Sequence, residues 1–247
     1  LSARLFLIVA VVLSLLAPGQ ARAFGEASAF TFAIVRHGGT YNPRPTGLRR
    51  ISWELAKRTS MAVKLDPKEI DLTDPDLFRY PVLVLSGDGD FPPLSDAERE
   101  ALRRHLTFGG FLLVDDASAQ PGGAFDLAAR RELRAILPAT PITRVAREHV
   151  LYKSFYLLNG PVGRTAVSTD ADAMVLQGRI AVLFSPNDLQ GAVARDAFGN
   201  WEMDVTPGGD SQREHAFRFG INVVMYAMCL DYKDDQVHLP FIMKRRR

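Results

Sequence analysis

Four short stretches of the chain carry residue types that can move protons or hold a cation. His37 and Gly38 close "FTFAIVRHG". Asp88 and Asp90 stand in "SGDGD", Asp115 and Asp116 in "FLLVDD", and Asn187 and Asp188 in "SPNDL". Paired carboxylates can act as general acid and base, with an imidazole to carry the proton. The same groups can hold a hard divalent cation, which takes oxygen ligands and at times imidazole. Asp88, Asp115 and Asp116 are the candidate ligands for such an ion. Their spacing fits neither an EF-hand loop nor His-Glu-x-x-His. The chain has no Walker loop and no Gly-x-Ser-x-Gly, and "GDGDF" lacks the third glycine of a dinucleotide fingerprint. A local role competes at each position. Asp116 can cap the turn through Ala117 and Ser118, the glycines of "SGDGD" can serve only to turn the chain, and His37 can bond a loop carbonyl. His105 reads as structural, while His215 is left open.

Whether these stretches meet depends on the elements that carry them. "PVLVLSG" and "FLLVDD" are continuous apolar runs of strand length, as suits parallel strands buried on both faces. "FTFAIVRH" and "RIAVLFS" read as two more strands. Ligands in an open parallel sheet bind at the carboxyl ends of the strands, so all four stretches are expected on one edge. Helices are expected between them. Thr46 can cap one bearing Leu48, Ile51, Leu55 and Ala56 at helical spacing, with Arg49, Arg50, Lys57 and Arg58 on its other sides. Ser95 and Glu98 form a capping box for a second, which Gly109 and Gly110 end. Asp126 is expected to cap a third, ended by Pro138. "SMAVKL" reads as a short second strand and "DPKEIDLTDPDLFRY" as turns. "AMVLQGRIAVLFSP" predicts a hairpin at Gln177–Gly178, residues 187–212 a long polar loop, and "REHAFRFGINVVMYAMCL" a final helix. The alternation predicts an α/β fold, a mostly parallel sheet with helices on both faces.

The first 23 residues read as an export signal. Arg4 precedes the apolar run Leu5–Ala17, which falls short of the ~20 residues of a membrane span, and "ARA" offers a cleavage site. If uncleaved, the segment would anchor the protein. One α/β domain is expected over 24–240, with a loop-rich insertion near 139–180 and a basic tail at 241–247. Without Arg4 and Arg22, 28 basic residues face 28 acidic ones, and four of the basic ones are Lys244–Arg247. That balance argues against nucleic-acid binding, which needs a basic face. The tail could touch an anionic membrane surface. A single cysteine, Cys229, excludes an internal disulfide and Cys-x-x-Cys zinc sites, and reads as a buried hydrophobe.

"LFRYPVLVLSGDGDFPPLSDAEREALRRHLTFGGFLLVDDAS" resembles the bacterial domain-of-unknown-function family numbered 4159. "FDLAARREL", "HVLYKSFY", "GRIAVLFSPNDL" and "FRFGINVVMYAM" extend the resemblance over most of residues 30–230. The resemblance implies a flavodoxin-like three-layer sandwich of the class I glutamine amidotransferase-like type. Active amidotransferases carry a cysteine at the elbow after the Gly-Gly strand. Here the elbow reads "DDAS", so the thiol is missing and Ser118 has no evident base. After the first strand "RHGGTYNPRP" also departs from the family's Gly-Gly-Gly-Asp-Trp-like phrase. The expectation is an exported, periplasmic or cell-envelope protein, not a glutamine amidotransferase, with no cofactor predicted. It would bind a ligand or an envelope protein partner at the strand edge through His37, Gly38, Asp88, Asp90, Asp115, Asp116, Asn187 and Asp188. The alternative is a metal-assisted hydrolase acting on a carbohydrate or envelope polymer.

Overall fold

The structure, a computed structural model, describes residues 29–228. The expected export segment, Cys229 and the basic tail lie outside the described residues. The elements run β1 (Ala33–Val35), α1 (Gly47–Arg58), β2 (Lys68–Ile70), β3 (Val82–Gly87), α2 (Asp96–Thr107), β4 (Phe111–Asp116) and α3 (Ala124–Ile136). Then follow β5 (Thr143–Arg144), β6 (Asp172–Leu176), β7 (Arg179–Ser185) and α4 (Gly209–Met228). Single 3₁₀ turns lie at Leu77–Arg79 and Val150–Lys153. The seven strands form one sheet in the order β2-β1-β3-β4-β7-β6-β5. The first five in that order are parallel, and β6 and β5 extend the sheet by antiparallel pairing.

Side chains alternate across each strand, and the two faces bury separate cores. Phe111 and Leu113 of β4 join Val82, Val84 and Leu183 beneath α1 and α4. Leu112 and Val114 join Leu83, Leu85 and Val182 beneath α2 and α3. Leu48, Ile51 and Leu55 supply the buried stripe of α1, and Phe217, Phe219, Ile221 and Val224 that of α4. The segment between α3 and β6 packs on the α4 side through Val145, Val150, Leu151, Tyr152 and Leu158.

Apart from Thr46, whose side chain makes no cap bond at the start of α1, the local signals act as their chemistry suggests, with three exceptions. Ser95 accepts from the Glu98 N–H while the Glu98 carboxylate accepts from the Ser95 N–H. Gly109 leaves α2 at φ 109°, and Gln177 and Gly178 turn the hairpin at 51° and 78°. The second strand, however, is Lys68–Ile70, inside the stretch read as turns; "SMAVKL" supplies only the bridge from Val63 to Phe30. Three residues carry too little alternation to stand out from Asp and Pro neighbours. Asp126 lies inside α3, whose N-cap is Gly123, and its Oδ2 accepts from Gly122 N at 2.7 Å. The third exception is the segment after β7. Residues 187–194 are buried throughout, not a solvated loop.

Gly87 ends β3 under the Phe125 ring, and a Cβ there would overlap that ring. Gly87→Ala should therefore cost ~1–3 kcal/mol of unfolding free energy in urea titrations. The same change in a Phe125→Leu background should cost less; an equal cost would locate the strain elsewhere.

Candidate functional site

The carboxyl ends of β1, β3, β4 and β7 do lie on one edge, but their side chains diverge. Alternation sends Asp115 toward the α1/α4 face and Asp116 toward the α2/α3 face. Both have no exposed surface.

Asp115 is held by the segment after β7. Its Oδ1 accepts from Leu189 N at 2.9 Å, and its Oδ2 from Gln190 N at 3.0 Å and Gln190 Nε2 at 3.1 Å. Ser86 and Ser185 flank it in register, and the Ser86 hydroxyl donates to the Asp115 carbonyl at 3.1 Å. Burial, and then the nearby Asp188 charge, push the Asp115 carboxyl up to about 7 against the pull of the three N–H donors.

Asp188 adopts φ 54°, a left-handed conformation that Asp tolerates. Its Oδ2 accepts from Arg164 Nε at 2.5 Å and from Arg44 Nη2 at 3.1 Å, and its Oδ1 from Gly191 N at 2.9 Å. Arg44 also donates to the Ala117 carbonyl at 3.0 Å. Asn187 is spent the same way. Its amide donates to Pro161 O and Ser168 O, and its Oδ1 accepts from Ser168 N. Asp115 and Asp188 are thus brought together, and the sequence reading missed the two arginines that join them.

The other candidates stand apart. Asp116 Oδ1 accepts from Ser118 N at 3.0 Å and from the Ser118 hydroxyl at 2.6 Å. That is the capping role weighed above, although its buried Oδ2 has no partner. Burial raises this carboxyl. Asp88 and Asp90 are exposed; Asp90 caps Phe91 N and approaches Arg131 at 3.7 Å. Among the described residues no group of three or more His, Cys, Asp or Glu is placed to hold a metal ion, so Asp88, Asp115 and Asp116 do not form a ligand set.

His37 fills the gap between β1 and β3, where the strand order reverses. Its Nδ1 accepts from Gly39 N at 3.1 Å, so Nε2 carries the proton and donates to Ser86 O at 2.8 Å. Its ring centroid lies 4.4 Å from that of Phe91, and burial lowers its proton affinity. Gly38 fits because a Cβ would strike Pro92. Both nitrogens of this half-buried ring are thus occupied by backbone groups. His105 is buried, its Nε2 on Tyr80 O, while His215 is exposed on α4 with Nδ1 on Ser211 O.

The open space on this edge lies to the side. A cavity of about 310 Å³ is lined by Gly160, Pro161, Thr165, Ser168, Asn187 and Gln212, and the buried Thr165 hydroxyl has no partner. A larger one, about 470 Å³, sits at the opposite edge of the sheet, around Phe30, Lys68, Arg79 and Met228.

The Asp115 environment gives a signed pH effect. Its folded pKa is raised, so its stabilising contribution is complete below about pH 4 and lost as pH rises through about 7. The stability lost on Asp115→Asn should shrink by a few kcal/mol between pH 4 and pH 8, at ~1.4 kcal/mol per pKa unit. A loss that grows with pH would mean that the three N–H donors keep the carboxylate ionised.

No curated protein matches the chain. Residues 31–228 match the family described as a domain of unknown function, DUF4159. The chain belongs to that family.

Proposed function

We propose that the domain is a non-catalytic binding module of the cell envelope, related to the class I glutamine amidotransferases, and that it engages a ligand or envelope protein partner at the strand carboxyl edge. One observation carries this reading: the hydrogen-bonding capacity of Asp115 and Asp188 is spent on the chain's own N–H groups and arginines. A carboxylate saturated in this way has little left for a substrate proton or a metal ion. The elbow after β4 supports the same reading. Ala117, Ser118 and Ala119 occupy it, Ala119 at φ 51°, and the Ser118 hydroxyl points to Asp116 with no imidazole in line. The parallel strand order β2-β1-β3-β4-β7 supports the flavodoxin-like classification. His37 and Phe91 fill the crevice where that fold would receive a ligand. Binding is therefore assigned to the rim, at the cavity beside Thr165. Export of residues 1–23 and membrane contact by 241–247 belong to the same proposal.

The metal-assisted hydrolase is the reading to exclude. Melting of the full chain should be the same in EDTA and in Mg²⁺, Ca²⁺, Mn²⁺ or Zn²⁺. An ion at a hundred times its dissociation constant would add ~2.7 kcal/mol, which a melt resolves. A rise abolished by Asp116→Asn would overturn the non-catalytic assignment. The binding half is tested by a photocrosslinker at position 165 in the producing cell. A discrete adduct that a probe at position 68 does not form supports it; no adduct from position 165 overturns the rim assignment.

A further inference from the structure

A third cavity, apart from the strand edge, gathers three arginines against one carboxylate in its lining. It measures about 310 Å³ and lies between α1 and the 195–199 loop. Thr46, Arg49, Arg50 and Trp53, spaced as one helix face, form one wall; Arg195 and Asp196 stand opposite.

The arginines are fixed by stacking. The Arg50 guanidinium lies 4.2 Å over the Trp53 ring. That of Arg195 lies 3.7 Å from Trp201, which carries Arg213 at 4.1 Å as well. Stacking uses the flat face of a guanidinium and leaves its N–H edge for an acceptor. Those edges are under-used here. The Nε groups of Arg50 and Arg195 are buried with no hydrogen-bond partner. The Arg195 side chain donates only to the Gly199 carbonyl and forms no ion pair among the described residues. Arg50 shares Glu54 with Arg58, which holds it more closely, at 2.6 Å against 3.3 Å. Arg49 pairs with the exposed Asp66. Asp196, the one carboxylate in the wall, accepts from Phe198 N, Asn200 N and the Asn200 amide, so it is spent on its own turn.

The start of α1 adds to the imbalance. Its first turn holds two arginines and no acidic residue, against the preference of a helix N-terminus. Thr46 does not cap it; the hydroxyl donates to Glu202 and accepts from Arg195 N. Burial works against protonation of Arg50; Glu54 next opposes that, and the charges of Arg195 and Arg58 then add to it. An anion in the cavity would offset this charge from the guanidinium Nη edges, the two Nε groups having no exposed surface.

We propose that this cavity is a binding site for a phosphate-type oxyanion, held by Arg49, Arg50 and Arg195. A carboxylate offers two coplanar oxygens and suits one guanidinium fork. A tetrahedral oxyanion presents oxygens in several directions, as three forks on two walls require. The site is independent of the function assigned to the strand edge.

Isothermal titration of the full chain with inorganic phosphate, sulfate and acetate, at ionic strength fixed with NaCl, tests the assignment. Saturable phosphate binding is expected, tighter than acetate. Arg195→Gln and Arg50→Gln should each weaken it at least about tenfold, the worth of one charge-assisted hydrogen bond. Arg36→Gln, which removes a remote exposed pair with Asp71, should leave it unchanged. If either buried-edge variant fails to fold by circular dichroism, the exposed Arg49→Gln serves in its place with the same expectation. No saturable phosphate heat, acetate binding as tight as phosphate, or an undiminished affinity in the folded variants would overturn the proposal.

Discussion

Asp188 sits with no exposed surface, between two guanidiniums from distant parts of the chain. An ionised carboxylate cannot be buried cheaply unless every lone pair is met. Meeting them here brings three segments to one point. Arg44 comes from the loop after β1, Arg164 from the segment before β6, and Gly191 from the turn that Asp188 itself begins. Arg44 then reaches Ala117, so the end of β4 is fixed by the same charge. Asp115 completes the arrangement by taking the next two N–H groups, of Leu189 and Gln190. The loops over the sheet edge are therefore positioned by one polar cluster, and their apolar residues, such as Leu189, Ala192 and Val193, pack into the core beside it.

Saturation that builds an edge also takes up the lone pairs of its carboxylates. A general base needs a lone pair facing solvent or substrate, and a metal ligand needs one facing its ion. At Asp115 those positions hold N–H groups. At the β1/β3 gap the same logic applies to imidazole, since Gly39 N and Ser86 O occupy the two nitrogens of His37. Asp116 keeps one free oxygen, yet it faces the opposite layer from Asp115 because adjacent strand residues must point to opposite faces. Two neighbouring carboxylates at a strand end thus look like a pair in sequence and cannot act as one in the fold.

That distinction marks how far the sequence could be read. Long apolar runs, the Ser95–Glu98 box and the Gln177–Gly178 turn are local signals, and each produced its element. β2 was lost because three residues have no period to detect. The buried 187–194 segment was lost for another reason: it opens on Asn and Asp and runs into a polar stretch, and its burial depends on partners elsewhere. Arg44 and Asp188 are separated by 144 positions, a pairing that no spacing rule contains. Between Pro43 and Pro45, Arg44 reads as an ordinary loop cation. The candidate residues could be named from their places at strand ends, but whether they were open or spent was fixed by contacts invisible to the sequence.

The arginines divide on the same criterion. Arg44 and Arg164 are cations whose N–H groups reach a carboxylate wholly inside the protein, and their role is exhausted by the fold. Arg50 and Arg195 lie on aromatic faces, Arg50 with a share of Glu54 as well, and stacking leaves hydrogen-bond donors over. A sequence that only needed those positions filled could have used residues without buried, unmet donors, since each such group costs ~1–3 kcal/mol. Trp53 and Trp201 orient both guanidiniums without neutralising either, and Asp196, the nearest carboxylate in the wall, is committed to its own turn. Cations held on aromatic rings, with Arg195 in no ion pair among the described residues and Arg50 sharing its carboxylate with Arg58, form a preorganised anion receptor, because the cost of placing them has been met by folding before the anion arrives.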